Sequence, residues 1–247
     1  MYHFFMERSQ IHPESVTITG PDVNHIKNVL RMKPGEQVLI SNGEDRDYLC
    51  RLTEISADAV EAEILEEREE TTELPAKIWL FQGLPKSDKM ELIIQKAVEL
   101  GAYQIVPVAT KRAVVKLDKK KEEAKLKRWN AISESAAKQS KRLIIPEIAP
   151  VMSFDEALAF VKDFDSKCIP YECASGMDSV RQFVSQTGPG QKIAVFIGPE
   201  GGFEEAEIER AREAGVVPVS LGKRILRTET AGMALLSVLA FHLEGGL

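Results

Sequence analysis

The chain has 247 residues, of which 44% are apolar and 28% charged, and a formal net charge of −6. Such a length admits one large domain or a small one joined to a medium one, and the composition is that of a folded globular protein, which excludes a mainly disordered chain. The net charge argues against nucleic acid only on average: residues 111–142 carry twelve Lys/Arg against four Asp/Glu, whereas residues 1–72 carry seven against fifteen.

The first ten residues, MYHFFMERSQ, lack the apolar core of an export signal. The longest apolar run, AGMALLSVLAFHL at 231–243, falls short of the roughly 20 residues that cross a bilayer, so it reads as a buried helix and no membrane is expected. Cys50, Cys168 and Cys173, with His3, His12, His25 and His242, form neither a disulfide framework nor a metal-ligand spacing. A reducing cytoplasm and no structural metal are the expectation.

Along the first 70 residues the strand-like runs SVTIT, QVLIS, YLCRLTEI and AVEAEILEE alternate with turns at KPGE and SNGEDRD, the rhythm of a small β-barrel or sandwich. One helix interrupts them at PDVNHIKNVLRM, started by Pro21 and Asp22, with Val23, Ile26, Val29 and Leu30 near helical spacing. The charged stretch EEREETTELP (66–75) predicts a linker and hence domains at 1–72 and 73–247.

Beyond it strands and helices alternate. KIWLFQ (77–82) predicts a strand; Asp88 with Glu91 makes a capping-box-like start to a helix whose stripe is Met90, Ile93, Ile94, Ala97 and Val98, ended by Gly101. YQIVPV follows as a strand, then a long polar helix over 120–140, then FDEALAFVKDF capped by Ser153 and Glu156, and the strand KCIPYEC. A short helix near 178–186, the strand KIAVFIG, a helix at 204–214, the strand VVPVSLG and a closing helix at 229–243 complete an α/β domain with a mainly parallel sheet.

In such sheets ligands bind beyond the carboxyl ends of the strands, which points to YECASG (171–176), IGPEGGF (197–203) and LGKRILRTETA (221–231). A phosphate loop is excluded, because neither GxGxxG nor GxxxxGK[ST] occurs. Glu200, Glu204, Glu205 and Glu207 would moreover repel a phosphate at the helix start. A neutral or cationic ligand needing close backbone approach fits Gly198, Pro199, Gly201 and Gly202 better; a tight turn with no ligand is the alternative. In the last loop Arg224 and Arg227 flank Ile225 and Leu226, with Thr228, Glu229 and Thr230 as cap candidates, and a capped helix with solvated arginines is the alternative there.

IGPEGGF, followed by LGKRILRTETA and an apolar terminal helix, resembles the cofactor-binding half of the SPOUT methyltransferases. It is most similar to the ribosomal small-subunit RNA uridine N3-methyltransferase (RsmE-like) family. HIKNVLRMKPGEQVLISNG resembles that family's N-terminal PUA-like domain, and QGLPKSDKMELIIQKAVELG and ESAAKQSKR resemble its catalytic domain, so the similarity spans nearly the whole chain.

The resemblance implies a C-terminal parallel sheet with a deep trefoil knot, a small PUA-like β-barrel before it, a homodimer, and S-adenosylmethionine as cofactor. It implies methylation of uridine N3 in 16S ribosomal RNA of the small subunit. The cofactor would lie against Tyr171, Glu172, Ile197, Gly198, Pro199, Glu200, Gly201, Gly202, Leu221, Gly222, Ile225, Leu226, Arg227, Thr228 and Thr230. For catalysis Arg227 ranks first, as a stabiliser of negative charge on the uracil oxygens. Glu200 follows as a general base if its pKa is raised, with a carboxylate bonding its own loop as the alternative, and Glu229 is third as a helix-cap residue. RNA candidates are Arg8, Lys27, Arg31 and Lys33, with Lys86, Lys111, Arg112, Lys138, Lys141 and Arg142. KKKEEAKLKR reads rather as a solvated face. A noncatalytic RNA-binding assembly factor, a methyltransferase acting on another RNA and an ordinary dinucleotide enzyme remain as alternatives.

Overall fold

The computed structural model describes residues 1–68, 72–115, 117–171 and 176–246. They form two compact units, Met1–Glu73 with Ala137–Ile145, and Leu74–Ala136 with Pro146–Leu247. Of the stretch 66–75 expected as a linker, residues 66–68 belong to a strand and 69–71 lie outside the described residues, and the return of 137–145 to the first unit has no signal in the sequence. That return has a local cause. Arg142 is 3% exposed and its guanidinium binds the Glu73 carboxylate, to which the amides of Leu143 and Ile144 donate at 3.0 and 3.4 Å. Lys138 is likewise paired with Asp22 at 3.1 Å. Both cations were expected on RNA; in this fold they hold the first unit together, since a charge leaves water only when matched.

The first unit is a five-stranded sheet of β1 (Tyr2–Phe5), β2 (Ser15–Thr19), β3 (Gln37–Ser41), β4 (Asp47–Ile55) and β5 (Ala59–Arg68), in the order β1-β3-β4-β5-β2. Phe4, Val16, Ile18, Val38, Ile40, Leu52 and Val60 meet in one core, so both outermost strands serve the same interior, as in a small barrel. The short aromatic β1, paired in parallel with β3, was not anticipated. The helix expected at 21–32 is only one turn, α1 (Pro21–Asn24), followed by a wider turn over His25–Val29 in which Leu30 N donates to His25 O at 2.8 Å. The extra residue in that turn keeps Val23 and Ile26 in the core while Val29 is left outside.

A polar chain is buried in this unit. His3 Nε2 lies 2.5 Å from Ser41 Oγ, which in turn donates to Asp47. Burial pushes the His3 imidazole down to about 4, with Lys138 and Lys141 adding to the effect. Burial raises Asp47, against the hydrogen bond from Ser41.

The second unit holds a sheet of β6 (Lys77–Gly83), β7 (Gln104–Ala109), β8 (Glu147–Ile148), β9 (Met152–Ser153), β10 (Ser166–Pro170), β11 (Lys192–Ile197) and β12 (Val217–Val219). Its order is β12-β10-β11-β6-β7-β8, with β9 also on β7, and its ladders are parallel. Strands covered on both faces carry continuous apolar runs, as β6 does over Ile78–Phe81 and β11 over Ile193–Ile197. The helices are α2 (Lys89–Glu99), α3 (Lys119–Ser140, whose last residues belong to the first unit), α4 (Phe154–Phe160), α5 (Asp178–Ser185), α6 (Glu205–Glu213) and α7 (Thr228–Leu243).

The stripe on α2 is buried as the spacing predicts, but Asp88 makes no side-chain cap, so no capping box forms there. The Ser153–Glu156 box is present on α4. A second box joins Glu204 and Glu207 at α6, where Glu207, 2% exposed, also accepts from Lys111 N at 2.9 Å. Two of the acids expected to repel a phosphate at that helix start thus tie down backbone.

His3 titrates near 6.5 when unfolded and near 4 when folded, so the unfolded chain takes up the proton first as pH falls. The first unit's stability is therefore full above about pH 6.5 and declines toward pH 4, by on the order of 3 kcal/mol, with Asp47 offsetting part of the loss at the acid end. Urea midpoints measured across that window should fall for the wild type and much less for His3→Gln.

Candidate active site

Because β12, β10, β11 and β6 are neighbours running in one direction, the segments following them emerge on one edge of the sheet. There Tyr171, the 197–203 turn and the 220–228 segment enclose a cleft of about 470 Å3. Four glycines, Gly198, Gly201, Gly202 and Gly222, are among its lining residues. Gly202 sits at φ 67° and Gly222 at φ 110°, conformations that favour glycine. A Cβ on Gly198 would stand 3.1 Å from Gly202 Cα, and one on Gly83 would stand 2.7 Å from Pro199 N, so two chain segments cross here with no room for a methyl. Gly201 packs 3.1 Å from the Arg112 Cβ by the same measure, and Arg112 Nη1 donates to Gly201 O at 3.0 Å. Arg112, expected on RNA, is thus a strut of the cleft.

Thr228 departs from its expected role as a helix cap. Arg227 occupies the N-cap position of α7, without a side-chain cap bond. The Thr228 hydroxyl, buried, donates to Gly198 O at 2.6 Å and accepts from Gln82 Nε2 at 2.9 Å. Gln82, 0% exposed near the end of β6, therefore locks the glycine turn to the start of α7. Nothing in the sequence singles it out except a polar residue closing an otherwise apolar strand.

Lys89 is a second residue that sequence reasoning passes over. It is the first residue of α2, where the helix dipole disfavours a cation, and that misplaced charge is the available signal. Its Nζ lies 3.1 Å from Glu200 Oε1 and 3.3 Å from Glu229 Oε2. These partners raise the lysine's pKa. Burial pushes the Glu200 carboxyl up, but bonds from its own amide, from Lys89 and from the Lys86 amide outweigh burial and hold it below the usual carboxylate range. Glu229 is lowered by its own amide first, then by Lys89 and Arg227. A raised pKa was the condition for Glu200 as general base, and the shift has the opposite sign. Lys86, expected on RNA, contributes that amide to Glu200 at 3.2 Å while its side chain stays exposed.

Of the other expected cofactor residues, Tyr171, Ile197, Pro199, Leu221, Ile225, Leu226 and Arg227 line the cleft, with Ile225 84% exposed at its mouth. Thr230 is exposed and off the wall, and Glu172 lies outside the described residues. Lys223, Arg224, Ser220 and Phe203 line the cleft and were not anticipated as contacts. Arg227 is exposed, and among the described residues its guanidinium has no hydrogen bond or ion pair. Arg8, Lys27, Arg31, Lys33, Lys111 and Lys141 are exposed; Lys27 Nζ donates to Ser56 O at 3.3 Å.

Comparison with known proteins decides the family. A family profile described as an RNA methyltransferase domain matches residues 72–240, and one described as an RNA methyltransferase PUA domain matches residues 18–65. The ribosomal RNA small subunit methyltransferase E of Bacillus subtilis is 40% identical over 99% of this chain and 98% of its own length. The chain belongs to the ribosomal RNA small subunit methyltransferase E family.

Among solved structures, that of the Neisseria gonorrhoeae methyltransferase E bound to S-adenosylmethionine is 34% identical with a TM-score of 0.85, covering 97% of this chain and 96% of its own. A putative methyltransferase from Legionella pneumophila in complex with the same cofactor is 33% identical with a TM-score of 0.84, covering 96% of each chain. Family membership and the missing phosphate loops together set aside the ordinary dinucleotide enzyme.

Thr228→Val keeps shape but leaves the Gly198 carbonyl and a Gln82 N–H unpaired in the interior. It should destabilise the second unit by about 1–3 kcal/mol in urea denaturation, whereas Thr230→Val should be nearly neutral.

Proposed function

We propose that the protein is a methyltransferase that uses S-adenosylmethionine to methylate N3 of a uridine in 16S ribosomal RNA. The observation that carries this reading is the cleft between the glycine turn at Gly198–Gly202 and the segment Leu221–Thr228, beside paired acids and without a phosphate loop. A volume of about 470 Å3 suits a small-molecule cofactor, and a Cβ at Gly198 would intrude on the turn that shapes it. Carboxylates near the wall favour a ligand carrying a positive sulfonium over a polyanion. When bound, the cofactor supplies an electrophilic methyl group, and position and electrostatics fall to the protein.

The uracil N3–H is a weak acid, and the nitrogen lone pair is available only as that proton leaves. Arg227 lines the cleft with a guanidinium unpaired among the described residues. It donates to uracil oxygens as negative charge spreads onto them, which makes N3 more acidic. Glu200 and Glu229, held below the usual carboxylate range by their own amides and then by Lys89, act through their charge and are poor proton acceptors at neutral pH.

The RNA is held by exposed cations, Arg8, Lys27, Arg31, Lys33 and Lys141 on the first unit and Lys111 on the second, which meet phosphates. In the same reading the active unit is a cytoplasmic homodimer acting on the small subunit, and the segment leading into α7 is threaded as a trefoil knot. The seating of Thr228 on Gly198 O supports a C-terminal segment drawn tightly against the glycine turn. No described helix is long and apolar enough to cross a membrane.

Mass spectrometry of 16S RNA from cells lacking the protein should show one methyluridine missing, restored by the wild-type gene. Arg227→Ala should slow single-turnover transfer at saturating RNA and cofactor by about 10²-fold or more while a thermal shift with S-adenosylmethionine persists. A rate within a few-fold of wild type would remove Arg227 from the chemistry. RNA affinity should drop steeply between about 50 and 200 mM salt if these lysines and arginines meet phosphates.

A further inference from the structure

The Glu200–Lys89–Glu229 cluster joins three segments remote in sequence: the glycine turn, the start of α2 and the start of α7. Its side chains are only 27%, 28% and 16% exposed, so solvent screens them incompletely. Lys89 and Glu200 both line the cleft. Within the cluster two carboxylates against one ammonium leave a charge of −1, with Arg227 the further cation that acts on Glu229. The lysine stands where its own helix disfavours it, so its place is explained by the acids and not by α2.

The proposed ligand and its product differ in charge at one atom. S-adenosylmethionine carries a sulfonium, whereas S-adenosylhomocysteine, left after methyl transfer, carries a neutral thioether; the remaining groups are the same. A fixed negative charge beside the cleft attracts the first and is indifferent to the second.

We propose that Lys89 is a positioning residue that sets how strongly the cleft prefers the methylated cofactor over its spent product, by holding its cluster with Glu200 and Glu229 at a charge of −1. With both carboxylates bare the preference would be larger, and with either one neutralised it would vanish or reverse. The lysine thus moderates the preference while pinning the two acids at fixed places. This inference rests on the functional reading above.

The test is calorimetric titration of the full-length protein with each of the two ligands, comparing the ratio of their affinities. Lys89→Met should raise the ratio in favour of S-adenosylmethionine at least about threefold, as expected for one extra charge at partial screening. Glu229→Gln should lower it by a similar factor, and Lys89→Arg should keep it within about twofold. High salt should compress these differences.

The ratio separates charge from architecture, because a distorted cleft weakens both ligands alike. Equal losses for the two ligands in Lys89→Met, or a ratio unmoved in both Lys89→Met and Glu229→Gln, would overturn the proposal. A wild-type protein that binds neither ligand would overturn the functional reading itself, and the inference with it.

Discussion

The second unit depends on a place where two backbones cross without side chains between them. Gly83 ends β6 against Gly198 and Pro199, and a single methyl group on Gly83 would sit 2.6 Å from Pro199 Cδ. Close packing makes such a crossing unforgiving, since neither partner is the yielding tip of a long side chain. Because the crossing lies at the carboxyl ends of two adjacent strands, it fixes where the glycine turn stands. Gln82, one residue earlier, then reaches the Thr228 hydroxyl and so fixes where α7 begins. The cleft is the space left over between these two decisions. Its shape belongs to main-chain geometry, which explains how so much of it can be lined by glycine, proline and aliphatic residues.

Much of this is legible in the sequence, for reasons that differ by element. The buried parallel strands β6 and β11 read as continuous apolar runs, and the α2 stripe has helical period, so both can be placed from spacing alone. The Ser153–Glu156 box is a local code that needs no tertiary partner, and it is readable as such. Asp88 and Glu91 carry the same letters but form no box: Asp88 adopts φ −94°, ψ 13°, away from the extended conformation that aims a cap side chain at the first amides. Strand β1 is four residues long and takes its identity from β3, thirty-odd residues away, which no local pattern encodes. The glycine turn and its companion loop are recognisable by resemblance, whereas Gln82 and Lys89 are not, because their partners at 228, 200 and 229 become neighbours only in the fold.

Charge is the least legible property. A run of twelve cations against four acids between 111 and 142 suggests a nucleic-acid surface, yet its members have different fates. Arg142 is enclosed by Glu73, Lys138 is matched to Asp22, and Arg112 braces Gly201, while the 119–121 lysines stay in water. The acidic first unit looks less unsuited to RNA once its acids are sorted in the same way. Glu73 and Asp22 are matched to internal cations, Arg46 pairs with Glu67, and Arg8, Arg31 and Lys33 remain at the surface. Net charge counts letters; the partner of each letter is decided by the fold.

The return of residues 137–145 to the first unit bears on how the chain is made. When the ribosome has released the five strands, the amides of Leu143 and Ile144 and the guanidinium that saturate Glu73 have yet to be synthesised. At about 5–20 residues per second the nascent sheet waits several seconds for them. During that interval β1 and β2, the strands at the two ends of the sheet order, are the vulnerable part of the molecule. Amino-terminal synthesis therefore precedes amino-terminal completion, and the first unit is sealed only after residues 74–136 of the second have been translated.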